Sequence, residues 1–348
     1  MTRKEKSKKI IGNIIKFILL PLLAIGLLFY AFGGMDLREI WNVIKSANYF
    51  YVALSFIVGY TAFVLIGLRW IIPLESMGYK GISRLNSINA VTVTYIINLM
   101  IPRAGEVARC TAMNQAEGIP VSRLLGTVIL ERAIDVIMLG ASIVLTIILQ
   151  YDHMEAFAYK LLTLRQDSPT EHAISYKAII LIAIVLIAVI VFIFRRRLRH
   201  TILYHKIEDF TRGMMTGIAS IARMPHKWAF VGYTIAIWVM YYLMIFFMSY
   251  AFDQTTSLTS ANILYLMTVG GLAQLVPVQG GIGAYHSAMK IGIPILGIAA
   301  ITPDVAMAFA TLNHATQTIM QLSTGAIALI LISRAQHKRL SKTTEQKT

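Results

Sequence analysis

The sequence predicts an all-α fold: a polytopic bundle of transmembrane helices with about six full spans plus two broken or re-entrant hairpins, or alternatively eight spans. Three observations predict it. Of the 348 residues, 57% are hydrophobic and only 14% are charged, whereas soluble domains carry about 25% charged residues. The apolar residues form runs of the roughly 20 residues that cross a bilayer as a helix. Two further apolar stretches are interrupted by proline and glycine.

The long apolar runs give the candidate spans. The first follows a basic N-terminus and is longer than the apolar core of a cleaved signal peptide, so we expect it to be retained as a helix. Residues 34–48, which follow it, are either an amphipathic helix on the outer interface or an ordinary loop. The six runs of spanning length are residues 10–32, 49–72, 124–150, 174–194, 228–251 and 304–333.

Two other regions begin as apolar helices and are then broken. Residues 85–118 contain the sequence LMIPRAGE, and residues 261–301 contain LVPVQGGIG. Proline removes a backbone donor and breaks a helix. Broken apolar segments in corresponding positions of two halves point to the binding site of transporters.

The distribution of charge predicts the orientation of the spans. Basic residues precede the first span and dominate residues 195–199, whereas residues 151–173 are richer in acidic side chains. The positive-inside rule places the basic segments in the cytoplasm and the acidic loop outside. Each broken region must then begin and end on one side, and the two sides are opposite. The order span, hairpin, span therefore occurs twice, which is typical of an inverted-topology repeat.

This topology makes the chain one integral membrane domain of a bacterial inner membrane, residues 1–348. The transmembrane bundle covers residues 10–333. Residues 1–9 and 334–348 form basic tails, so both termini are expected in the cytoplasm.

Composition also disfavours several classes of function. The formal net charge of +15 sits at the termini and between apolar runs, which fits topology and anionic headgroups better than a nucleic-acid partner. The single cysteine, Cys110, excludes an internal disulfide and a metal site built on cysteines. The H-E-x-x-H and G-x-S-x-G motifs are absent. We expect no catalytic residue, no metal and no cofactor, and an enzyme is the less favoured reading.

Polar residues in the first broken region are candidates for binding an anionic headgroup. Freed backbone amides and a half-helix N-terminus attract anions, and arginine binds phosphate well. The alternative is a cytoplasmic loop whose arginines only mark the inner side. The candidates are Asn98, Pro102, Arg103, Gly105, Glu106 and Arg109.

Three ionisable residues, Glu131, Arg132 and Asp135, lie within the span at 124–150. Ions inside a membrane usually mark a pathway, which predicts the polar wall of a substrate cavity. The alternative is an internal ion pair, because residues three and four apart share a helix face.

Further candidates come from the second half. The glycines of PVQGGIG allow a tight turn, and the last span carries a polar stripe that either faces the cavity or joins helices together. These candidates are Pro277, Gly281, Gly283 and His286, with Asn313 and Gln317 on the last span.

Together these motifs resemble the transmembrane region of lysylphosphatidylglycerol synthases, a flippase-like membrane family, over about residues 10–335. The resemblance rests on Arg69-Trp70, NLMIPRAGEVAR at 98–109, ERAID at 131–135 and PVQGGIG at 277–283. His286 stands where the family often has a glutamate, which departs from the pattern. The family's aminoacyl-transferase domain is not expected here, so the resemblance does not imply lysine transfer.

The leading hypothesis is a lipid flippase or transporter that moves an anionic phospholipid or a lipid-linked precursor between leaflets. One alternative is a membrane-embedded enzyme of the phosphatidylglycerol lysyltransferase type. The other is a membrane anchor for a separate synthase or glycosyltransferase, which would then be a protein partner.

Overall fold

The computed structural model describes residues 20–163 and 224–345, without the side chains of 342–344. Four of its helices are long and apolar enough to cross a bilayer, so the chain is a polytopic helical membrane protein. They are α3 (Tyr49–Ser76), α6 (Val121–Leu149), α8 (Lys227–Ser249) and α11 (Pro303–Glu345). These helices correspond to four of the predicted spans, and the predicted span at 174–194 lies outside the described residues.

The first span is described only from residue 20 and ends in a sharp bend. Helix α1 (Leu20–Phe32) meets α2 (Leu37–Lys45) at 86°. Helix α2 buries Ile40, Val43 and Ile44 and exposes its polar residues, so the helix alternative for residues 34–48 is the correct one.

One difference from the predicted loops is α7 (Tyr151–Leu162), which occupies much of the acidic loop. Phe157 of this helix is buried, and its ring packs edge-on against the ring of Tyr265 with 6.4 Å between the two centroids. A short amphipathic helix that covers a hydrophobic core has no apolar run long enough to span a membrane. The search for apolar runs in the sequence therefore did not reveal α7.

The first broken region folds as a helical hairpin, called hairpin 1. It consists of α4 (Arg84–Met100), turn 1 at residues 101–104 and α5 (Gly105–Glu117). Glu117 ties the base of the hairpin, because its Oε1 accepts from the Ser83 amide at 3.2 Å and from Asn86 Nδ2 at 2.6 Å. Hairpin 1 therefore begins and ends at the same level.

The second broken region gives hairpin 2, with α9 (Ser260–Ala273), turn 2 at residues 274–283 and α10 (Ala284–Ile295). Near its base the Tyr265 hydroxyl donates to the Gly292 carbonyl at 3.2 Å. Turn 2 has three glycines with positive φ, and a Cβ on Gly283 would lie 2.5 Å from the Ala24 carbonyl oxygen. Glycine is therefore required where turn 2 packs on α1.

The two hairpins point at each other along α11. Asp304, at the start of α11, accepts from the Asp36 amide near the base of hairpin 2. Further along α11, His314 Nε2 lies 3.0 Å from the Gly280 carbonyl oxygen in turn 2. Gly325 then packs on Ile96 of α4, and Arg339 Nη1 donates to the Asn114 carbonyl near the base of hairpin 1 at 2.8 Å.

From its first residue onward, α11 therefore contacts the base of hairpin 2, then turn 2, then α4 and finally the base of hairpin 1. Span, hairpin and span follow one another in each half, and the hairpins enter from opposite ends of the bundle. Helices α3 and α8 run antiparallel beside them, since Ser55 Oγ donates to the Met244 carbonyl at one end and Arg69 Nη1 to Thr234 Oγ1 towards the other.

Candidate functional site

A chain of five alternating charges joins three helices of the bundle. Glu131 Oε2 lies 2.6 Å from Arg109 Nη2, and Glu131 Oε1 lies 3.8 Å from Arg69 Nε. Arg69 Nη2 also reaches Asp135 Oδ1 at 3.3 Å, and Asp135 Oδ2 pairs with Arg132 Nη2 at 2.9 Å. The side chains come from α3, α5 and α6, so the chain of charges links hairpin 1 to both flanking spans.

The end of this chain of charges at Arg109 lies in the packed interior of the protein. Arg69, Arg109 and Glu131 are exposed by 1%, 2% and 0%. The Arg109 guanidinium stacks 3.7 Å from the centroid of the Trp70 ring, and Trp70 Nε1 donates to Thr127 Oγ1. Glu131 and Arg109 therefore pair with each other in the packed interior, and neither is among the residues that line the cavity described below.

The other end of the chain of charges, at Arg132, is accessible. The side chains of Arg132 and Asp135 are exposed by 48% and 28%. Two carboxylates form ion pairs with three guanidinium groups, and Asp135 pairs with both Arg69 and Arg132. The cluster thus carries one surplus positive charge, and its exposed end is an arginine.

Arg132 and Asp135 open into a cavity of about 560 Å³ between the two hairpins and helices α3, α6, α8 and α11. The predicted residues that line it come from both broken regions, from α6 and from α11. They are Asn98, Pro102, Arg103, Glu106, Arg132, Asp135, Pro277, Gly281 and Gln317.

Turn 1 is closed by a hydrogen bond between a side chain of α4 and the backbone of α5. Asn98 Oδ1 accepts from the Gly105 amide at 2.8 Å, which closes the turn and starts α5. Gly105 itself is buried between the hairpin arms. This arrangement directs Arg103 towards turn 2, where its Nη2 donates to the Leu275 carbonyl at 3.3 Å. Glu106 on the next helical turn lines the cavity.

Three candidates of the second half lie behind the cavity wall rather than on it. Gly283 packs on α1, and His286 is buried 5.7 Å from the Phe32 ring and 4.9 Å from the His314 ring, between centroids. Asn313 is fully buried and donates to the Tyr285 hydroxyl. These residues pack behind turn 2, on the side away from the cavity.

The cavity is also lined by aromatic residues that were not among the candidates, namely Tyr95, Trp238 and Tyr241. Aromatic residues on apolar helices look like ordinary core residues in a sequence, so only packing shows which side they face. Arg69 was noted only as part of a motif, although it sits at the centre of the charge chain.

Comparison with protein-family models decides the relationship of this chain. The model described as "Lysylphosphatidylglycerol synthase TM region" matches residues 13–325, most of the chain. The chain belongs to this family. Comparison with curated proteins and with solved structures gives no match.

In this member of the lysylphosphatidylglycerol synthase TM-region family, the segments that carried the resemblance converge in space. Turn 1, turn 2 and the ERAID segment all contribute to the cavity wall, while Arg69 and Trp70 hold the charge chain behind it. The family model confirms the resemblance found in the sequence, and the motifs that carried it lie close together in the structure.

Proposed function

We propose that this protein is a lipid flippase or transporter that moves a phospholipid or a lipid-linked precursor between the leaflets of a bacterial inner membrane. The observation that carries the proposal is the charged cavity between two opposed hairpins inside an apolar bundle. A charge is costly in hydrocarbon, so a headgroup that crosses the membrane needs a polar path of this kind. The lipid tails can stay in the bilayer.

The cavity wall suits a phosphate-bearing headgroup. Arg103 and Arg132 supply guanidinium groups, which can bind phosphate oxygens in pairs. Glu106 Oε2 and Trp238 Nε1 are buried, and neither atom has a hydrogen-bond partner among the described residues. Such groups are costly when unsatisfied. A bound headgroup with hydroxyl or amine donors and phosphate acceptors would satisfy both.

The basic residues of the described part support the proposed orientation. Near the base of hairpin 1 lie Arg84 and Arg123, and α11 continues on that side through Arg334, Lys338 and Arg339. The positive-inside rule then places the base of hairpin 1 in the cytoplasm and α2 outside.

This orientation predicts the labelling of single cysteines in a Cys110→Ser background. A cysteine at the exposed Lys45 of α2 should react with a membrane-impermeant maleimide added to intact cells. One at the exposed Lys338 should react only after the cells are permeabilised. The reverse pattern would invert the proposed topology.

Reconstitution of the purified protein tests the proposed function. Vesicles that contain the protein and fluorescent phosphatidylglycerol should lose inner-leaflet fluorescence to external dithionite faster than protein-free vesicles. A transferase or an anchor for a separate synthase would leave the rate unchanged. An unchanged rate with correctly folded protein would therefore refute transport by this chain alone.

A further inference from the structure

The contact between the two turns divides two cavities. The charged cavity lies on one side. On the other side a second cavity of about 1050 Å³ follows α5 and α11 towards the base of hairpin 1, past Gln115 and Gln336. Pro102, Arg103 and Pro277 line both cavities. These three residues therefore form the wall between them.

Arg103 makes the polar contact that crosses this wall. Its Nη2 donates to the Leu275 carbonyl at 3.3 Å, from turn 1 to turn 2. Beside it, Leu99 packs so closely on Gly280 that a Cβ there would lie 2.4 Å from Leu99 Cδ2. Among the described residues, a hydrogen bond from a charged guanidinium to a neutral carbonyl and a small apolar contact thus join the tips of the two hairpins.

The backbone and the charge of Arg103 are both unusual. It is the one residue other than glycine with positive φ in the described part of the chain, at 60°, a conformation that is uncommon for residues with a side chain. The other cavity arginine, Arg132, is paired with a carboxylate, whereas Arg103 forms no ion pair with any described residue.

We propose that Arg103 is a gate residue that a lipid phosphate displaces. The proposal rests on the proposed function and adds how substrate opens the path. A guanidinium binds an anionic phosphate more strongly than a neutral carbonyl. A phosphate in the charged cavity therefore draws Arg103 away from the Leu275 carbonyl. The tips of the hairpins then separate and the two cavities connect.

The separation of the tips can be measured by spin labels on the protein in dodecyl maltoside, a detergent without phosphate. Met100 and Leu275 are exposed and lie on either side of the contact. Their replacement by cysteine in a Cys110→Ser background keeps the Leu275 carbonyl. We expect one short distance without lipid, and a second, longer distance after phosphatidylglycerol is added. A galactolipid, which has tails but no phosphate, should leave the short distance unchanged.

Substitution of Arg103 gives the matched test. Arg103→Gln should show the longer distance as its major population without lipid, whereas Arg123→Gln, at the exposed start of α6, should behave as wild type. A short distance in Arg103→Gln would overturn the proposal. So would a short distance that phosphatidylglycerol leaves unchanged in the labelled protein with Arg103 intact, a result that does not depend on the folding of the Arg103→Gln variant.

The gate and the proposed function can fail separately. Labels that respond to phosphatidylglycerol in a protein that moves no lipid would support the gate and refute the transport proposal. Lipid movement with a fixed label distance would overturn the gate alone.

Discussion

Replacement of Glu131 by glutamine is expected to destabilise the folded bundle by about 3–5 kcal/mol, the usual cost of breaking a buried ion pair from one side. Glutamine keeps the shape of the side chain but removes its charge. Arg109 would then lose its carboxylate partner, and Arg69 would keep only Asp135, which already pairs with Arg132. Thermal unfolding of the purified protein in detergent measures the loss.

Two variants control for this effect. Arg132→Gln breaks the half-exposed pair with Asp135 and should change stability by about 1 kcal/mol or less. The double variant Glu131→Leu, Arg109→Leu removes both partners of the 2.6 Å contact and should recover part of the loss. A Glu131→Gln protein as stable as Arg132→Gln would show that the charge chain does not hold the helices together.

Replacement of Gly105 by alanine is expected to open hairpin 1. A Cβ at this position would lie 2.1 Å from the Thr94 carbonyl oxygen and 2.8 Å from Asn98 Cγ. Backbone cannot give way as the end of a flexible side chain can, so the arms of the hairpin must move apart. We expect a loss of about 1–3 kcal/mol from overpacking. The Asn98 bond that closes turn 1 should weaken as well, and lipid movement should fall with it.

Gly126→Ala is the matched control, because a Cβ at Gly126 meets no described atom within 4 Å. In a helix this change normally stabilises, by about 0.5–1 kcal/mol. Unfolding temperatures and transport rates of the two variants are compared side by side. Equal unfolding temperatures would contradict the tight packing of the hairpin arms.

Much of this fold could be predicted because the bilayer constrains it strongly. A span needs about 20 apolar residues, and proline with glycine marks where an apolar helix must turn. The hairpins at residues 85–118 and 261–301 follow from these rules together with the distribution of charge. Helix α7 could not be predicted in the same way, since it covers the core without spanning.

The site was predictable in position but not in detail. Glu131 and Arg132 are neighbours in sequence, and both were candidates for the cavity wall. Helical geometry turns adjacent residues about 100° apart, so Arg132 faces the cavity while Glu131 points into the packed interior. Which side is interior depends on α3 and α5, because Arg69 and Arg109 come from those helices.

The same limit applies to the second half. Gln317 lies on the cavity wall, whereas Asn313, one helical turn earlier, is buried against Tyr285. Both belong to one polar stripe. A stripe shows that a helix has polar neighbours, but only the neighbouring helices decide where the cavity ends and helix packing begins.

The most direct test of the central claim is lipid movement by reconstituted Arg132→Gln protein, because this side chain is the exposed, positive end of the charge chain. Loss of one charge-assisted contact of about 1.5–3 kcal/mol should slow phosphatidylglycerol movement about tenfold to a hundredfold, with the unfolding temperature almost unchanged. Arg132→Lys should retain part of the rate, and Arg123→Gln should match wild type. A wild-type rate in Arg132→Gln would contradict the claim that the charged cavity carries the headgroup.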